Sequence, residues 1–324
     1  MVLRRRDRIN STFARQVARL AGPVVAAGVA FTASHFPSFD IITASFASPK
    51  DDVRKTDPLD VANSPKLSAF LSKLNSVSFS EIPSELHNFF KVGGELGLKT
   101  SVAKFRQPKT ASELAETPDA DCSDAVYGVA AVCEALGRDD IKCGAVFGHV
   151  KGAAKTIDHI VPFVLVKGSH PNGDTKFKSK AMAALGASGE WTLIILDPQS
   201  AFGKTVDFDR FEAHNSNKIK GDYFRELGHY YYKGAKPQDL KAAVESYKVA
   251  VELNPNDNES RGAAIEILGS SFQRLQKMIA KATKPQLEET RDVIKDLLFF
   301  LPNADPQKAS LERSLGQVEG WLRE

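Results

Sequence analysis

Cysteine is scarce in this chain. Cys122, Cys133 and Cys143 are the only three among 324 residues, too few and odd in number for a disulfide framework. There is no Cys-x-x-Cys pair, and the seven histidines (35, 87, 149, 159, 170, 214 and 229) lack the spacing of a zinc site. Neither a metal nor a cofactor is expected. Strong charge is also missing from the body of the chain. The formal net charge is +3, but Arg4, Arg5, Arg6, Arg8, Arg15 and Arg19 against Asp7 place about +5 at the start and leave roughly −2 elsewhere. A nearly neutral body lacks the basic face of a nucleic-acid-binding protein. The chain also has no long apolar run. The stretch from Leu20 to Ala33 falls short of the ~20 residues that span a bilayer.

That short run follows the arginines, so residues 1–48 read as a targeting leader or membrane anchor. The pattern fits export, with Gly28-Val29-Ala30 or Ser45-Phe46-Ala47 as small-residue cleavage sites, and it also fits organellar import. A retained N-terminal helix in a cytoplasmic protein is the plain alternative. Membrane contact is expected through this segment only. The rest is ordinary globular material: 42% hydrophobic and 26% charged residues are enough for real cores and argue against wholesale disorder.

Residues 49–63 are polar and read as a linker. Ser64 and Pro65 then offer an N-cap and a first-turn proline ahead of Leu67, Phe70, Leu71 and Leu74. With a second stretch around Leu86, Phe89 and Phe90, they make 64–108 a set of accessory helices. Between 109 and 205 the pattern changes. Asp121 and Asp124 put acid in the first turn of a helix carrying Val126, Val129, Ala130, Cys133 and Leu136, which Gly137 stops. Three β-like runs follow: Ile141 to Val150, Ile157 to Val166 and Trp191 to Leu196. A helix and then several strands predict an α+β domain with an antiparallel sheet. The Lys-rich excursion from Gly168 to Glu190 reads as a disordered loop or a flap. Cys133 and Cys143 fall on apolar faces and read as core.

Three places in this domain carry chemistry. Cys122 stands at a helix start, where free backbone N–H groups and the macrodipole favour a thiolate, and an approaching imidazolium would favour it further. The same N–H groups could donate to an oxyanion. His159 opens a strand in step with Val161, Phe163 and Leu165, and Asp197 ends the next in step with Trp191, Leu193 and Ile195. Together they are a nucleophile, a base and the group that orients the base. His149 is the rival base, and Asp197 before Pro198 is also a plain turn residue.

The run Asp121-Cys122-Ser123-Asp124, His159 at a strand start and Trp191 ahead of Leu196-Asp197-Pro198 resembles the transglutaminase-like superfamily over residues 109–205. Thr110-Ala111-Ser112-Glu113 is similar to the helix that precedes the nucleophile there. The resemblance implies a papain-like core, with Cys122 as nucleophile, His159 as base and Asp197 as orienting acid. Ala120 stands where the family has glycine and Val161 where it has an aromatic. Gln107 is the candidate for the upstream oxyanion donor.

A linker is expected at 206–220 and an all-α domain at 221–324. Phe224-x-x-Leu227-Gly228-x-x-Tyr231, with Ala243, Tyr247, Ala250 and Pro255, resembles a tetratricopeptide repeat. Ile265-x-x-Leu268-Gly269-x-x-Phe272 begins a second, degenerate unit that Pro302 closes, and Ser314-Leu315-Gly316 lies in a capping helix. A plain helical hairpin is the alternative. These parts imply a cysteine hydrolase (protease or amidase) or an acyltransferase, with a protein or peptide as substrate and a protein partner on the C-terminal helices. The alternative function is a catalytically inactive scaffold for protein–protein interaction.

Overall fold

The computed structural model describes residues 53–100, 105–151, 156–202, 207–235 and 239–323. The expected leader and both candidate cleavage sites lie outside them. The fold is mixed α+β: a small antiparallel sheet surrounded by helices.

Helix α1 (Pro65–Leu74) starts where the sequence predicts, with the Ser64 hydroxyl accepting the Leu67 amide and proline in the first turn. Helix α2 (Ile82–Phe90) buries Leu86, Phe89 and Phe90, and Phe70 of α1 stacks on Phe89 at 3.8 Å between ring centroids. Strand β1 (Lys99–Thr100) pairs in parallel with β2 (Asp119–Ala120), and helix α3 (Ala111–Glu116) lies between them in sequence. Helix α4 (Cys122–Leu136) is almost wholly buried from Ser123 to Val132. Its end is set by Gly137, which takes the left-handed conformation at φ 62° and returns its N–H to the Cys133 carbonyl.

The main sheet has four strands, in the spatial order β5 (Trp191–Ile195), β4 (Thr156–Lys167), β3 (Ile141–Lys151) and β6 (Phe208–His214). Strands β3, β4 and β5 are the three runs the sequence predicts, all paired antiparallel. The period of two divides their side chains between two cores. Ala145, Ile160, Val164 and Ile194 join the α4 side; Val146, Val161, Phe163, Leu165 and Leu193 form a second cluster with Phe177 and Ala181. Residues 168–190, expected as a loop or flap, instead carry helix α5 (Lys178–Ala184), which covers that second face. Phe177 and Ala181 are fully buried there, and apolar burial orders the segment despite its lysines.

Two stretches expected as linkers are packed. Val53 and Leu59 are buried in the α4-side core, and the Arg54 guanidinium holds Glu252 at 3.1 Å and Glu245 at 3.4 Å. Within 206–220, strand β6 (Phe208–His214) pairs with β3 and helix α6 (Ser216–His229) begins.

Beyond it lie α7 (Leu240–Leu253), α8 (Asn258–Met278), α9 (Lys284–Phe300) and α10 (Lys308–Trp321). A five-residue π-helix, Tyr230–Gly234, extends α6. Gly228 lets α6 approach α7, because a Cβ there would sit 2.5 Å from a Tyr247 ring carbon. Gly269, which the sequence pattern matches to Gly228, faces open space. The helical segment is not detached from the rest: Ile219, Tyr223, Phe224 and Ala250 share one core with Val126 and Leu67.

Candidate active site

The start of α4 is fastened from two directions. Asp121 is its N-cap and accepts the amides of Ser123 at 3.0 Å and Asp124 at 3.2 Å, while Asp124 reaches back to the Asp121 amide at 3.2 Å. This reciprocal box satisfies donors that a helix start leaves free. It also corrects an expectation. Two of the amides that could serve an oxyanion are already engaged, which leaves the Cys122 amide as the nearest. The Asp124 carboxylate is fully buried; it accepts the Lys109 amide at 3.0 Å and pairs with Arg106. Arg106 also holds Asp121 at 3.0 Å. The cation matters because an uncompensated carboxylate in this interior would be costly. Gln107, the anticipated side-chain donor, is exposed and does not line the cleft.

Cys122, His159 and Asp197 meet in one narrow cleft walled by Val92, Leu98, Thr100 and Pro198. Sheet geometry explains the meeting. Strand β5 ends at Ile195, opposite Phe163 of β4, so His159 lies past the end of its neighbour. The chain leaving β5 makes one more ladder-like bond, from the Leu196 amide to the Pro162 carbonyl at 2.9 Å, and then turns at Asp197. A notch in the sheet margin results, where a thiol from the α4 side can reach two side chains that alternate with the opposite face. His159 Nε2 lies 3.9 Å from Asp197 Oδ1, an ion-pair distance rather than a hydrogen bond.

Asp197 is 5% exposed, and its carboxylate is oriented by its own turn. Oδ1 accepts the Gln199 amide at 3.0 Å and Oδ2 the Ser200 hydroxyl at 2.6 Å. Burial opposes its ionisation, but His159 and these two donors hold its pKa below the usual carboxylate value. Burial likewise opposes charge on His159. Asp197 and then Cys122 outweigh it, and the imidazole pKa rises to about 9.

The turn is anchored by a residue that spacing gave no reason to choose. His87 of α2, 4% exposed, has Nε2 at 3.2 Å from the Asp197 carbonyl and 3.0 Å from that of Ser200. Burial pushes its pKa down. The Val92 amide adds a bond to the Pro198 carbonyl at 2.9 Å.

Comparison with protein-family models, curated proteins and solved structures finds no match to this chain. The geometry therefore stands by itself.

His149, the rival base, lies on β3 opposite Asp158 and does not line the cleft. Trp191 is buried at the start of β5 in the α5-side cluster. Cys133 and Cys143, expected as core thiols, form a disulfide with a Cα separation of 6.0 Å. The left-handed turn at Gly137 brings the end of α4 back along β3, and that reversal sets the two side by side. Among the described residues Cys122 is the only free thiol. Among the described residues no cluster of three or more His, Cys, Asp or Glu could hold a metal.

Proposed function

We propose that the cleft is a thiol acyl-transfer site of the transglutaminase-like, papain-related kind. One observation carries this reading: a free cysteine in the first turn of a buried helix shares a cleft with a histidine whose pKa is lifted to about 9 by that sulfur and a buried aspartate. The thiolate is the reactive form of the nucleophile, and a protonated imidazole beside it is the charge that favours that form. Cys122 Sγ attacks the carbonyl carbon of a peptide or carboxamide. The oxygen becomes an oxyanion beside the Cys122 amide, a contact of the type worth about 3–4 kcal/mol. His159 gives its proton to the departing amine, the C–N bond breaks, and a thioester forms. Water attack with His159 as base completes hydrolysis as a protease or amidase; attack by a second amine completes acyl transfer. Asp197 keeps the imidazole oriented and favours its charge.

The test is trapping of the acyl-enzyme. Intact-mass spectrometry after mixing with activated peptide esters should show a thioester adduct that Cys122→Ser fails to form as a thioester. Absence of any adduct in the native chain would remove this reading.

Protein binding by the helical segment is a second role. A groove of about 540 Å³ between α7, α8 and α9 has Val244, Met278 and Val293 inside, with Glu245, Glu289, Asp292 and Asp296 along it. An apolar floor with a charged rim suits a peptide or protein partner, and the two-unit tetratricopeptide-like reading is consistent with it. This role also serves the alternative of an inactive scaffold, which a normal, unreactive Cys122 would favour. The Cys133–Cys143 disulfide supports an oxidising compartment and hence export or membrane anchoring through the leader. No helix among the described residues is long and apolar enough to cross a membrane.

A further inference from the structure

We propose that His87 is a positioning residue that holds Asp197 in line with His159 by clamping the turn from Asp197 to Ser200. The inference rests on the triad reading above and extends it to a residue from outside the catalytic segment.

Asp197 stands beyond the last paired residue of β5, so the sheet ladder does not fix it. Its carboxylate is tied within its own turn, to the Gln199 amide and the Ser200 hydroxyl, and the Ser200 amide closes that turn on the Asp197 carbonyl at 3.1 Å. These bonds orient the carboxylate relative to the turn but say nothing of where the turn sits. The Leu196 amide on the Pro162 carbonyl fixes where the turn begins, and its far side is held from α2 and from Val92, two residues past that helix. His87 Nε2 lies between the carbonyls of Asp197 and Ser200, and the Val92 amide takes the carbonyl of Pro198. Carbonyl oxygens only accept, so Nε2 carries the proton and Nδ1 bears the lone pair. That Nδ1 is buried without a hydrogen-bond partner. Packing alone would be served better by an apolar side chain, because a lone pair in a dry interior is unfavourable. The Phe202 ring packs against His87, with ring centroids 5.5 Å apart. Lys91 stands one turn further along and, like burial, disfavours charge on the imidazole. A neutral donor spanning two carbonyls is thus built in at the turn that carries the acid.

The experiment compares the full chain with His87→Gln and His87→Asn. The glutamine amide can place an N–H near the site of Nε2; the shorter asparagine amide falls nearer Nδ1. NMR titration of His159, assigned with His159→Ala, reads the pKa directly, and circular dichroism reads the fold. The native chain should titrate near 9, the glutamine variant close to it, and the asparagine variant lower by about one unit, tenfold in the imidazolium-to-imidazole ratio. A merely structural role would change stability and leave that pKa in place. Equal, native-like His159 values in both folded variants would overturn the clamp while leaving the triad intact. Loss of fold in both would also overturn it, since it would make His87 a general structural residue. A native-chain value near 6.5 would instead defeat the triad reading itself.

Discussion

His159 and Asp197 stand 3.9 Å apart in the notch left where β5 ends, and neither is free to drift. The histidine is on a strand paired with β3, and the aspartate is in a turn tied at both carboxylate oxygens. The gap is too long for a hydrogen bond and short enough for strong attraction in a partly buried place. Removing the charge of Asp197 should therefore be felt at His159. Asp197→Asn is expected to lower the His159 pKa from about 9 toward the unperturbed ~6.5. The alkaline limb of the acylation rate should move to lower pH with it. A pH–rate profile on an activated ester checks the shift.

In the proposed mechanism His159→Ala removes the proton donor and the positive charge beside Cys122. The expected loss in kcat/KM on an amide substrate is about 10²–10⁴-fold, with a smaller loss on esters, whose leaving group needs less help. Parallel kinetics on matched amide and ester substrates measure the difference.

Arg106 faces Asp121 and the fully buried Asp124 together. Arg106→Met leaves Asp124 with backbone donors alone, and the unfolding free energy should fall by about 3–5 kcal/mol. Urea denaturation gives the number. A loss under about 1 kcal/mol would mean that the backbone donors suffice.

The Cys133–Cys143 bridge ties the end of α4 to β3. Under denaturing but oxidising conditions a thiol titration should find one reactive group, Cys122, and three after reduction. Replacing both bridge cysteines by serine should reduce stability by about 2–4 kcal/mol.

Gly228 and Gly269 match in the sequence pattern, yet of the two only Gly228 is pressed against a neighbour. Gly228→Ala should destabilise by about 1–3 kcal/mol through its clash with Tyr247, whereas Gly269→Ala should be neutral or mildly stabilising. Thermal melts of the pair separate the two cases.

The parts of this fold that were legible in the sequence are those that local chemistry writes. The Asp121 cap, the Gly137 stop and the alternation in β3, β4 and β5 are short-range signals; they put Cys122 at a helix start and His159 on a strand, whereas Asp197, expected to end a strand, lies in the turn beyond β5 and His159 lies three residues into β4. Parts that depend on distant pairing were hidden. His87 serves a turn more than a hundred residues later in the chain, and nothing in its own helix marks it. Strand β6 is a short edge strand with charges at 209, 210 and 212, the composition that edges carry, so it read as linker. Helix α5 was masked by its lysines, because the two residues that bury it, Phe177 and Ala181, have no meaning until the sheet face exists.

The most direct test of the central claim is the pH dependence of Cys122 alkylation by iodoacetamide in the native chain, with Cys122→Ser as the blank. A thiolate–imidazolium pair should keep the rate well above that of a free thiol at pH 6. A further inflection near 9 should appear as His159 loses its proton. A single titration near 8.5, the value of an ordinary cysteine, would contradict it.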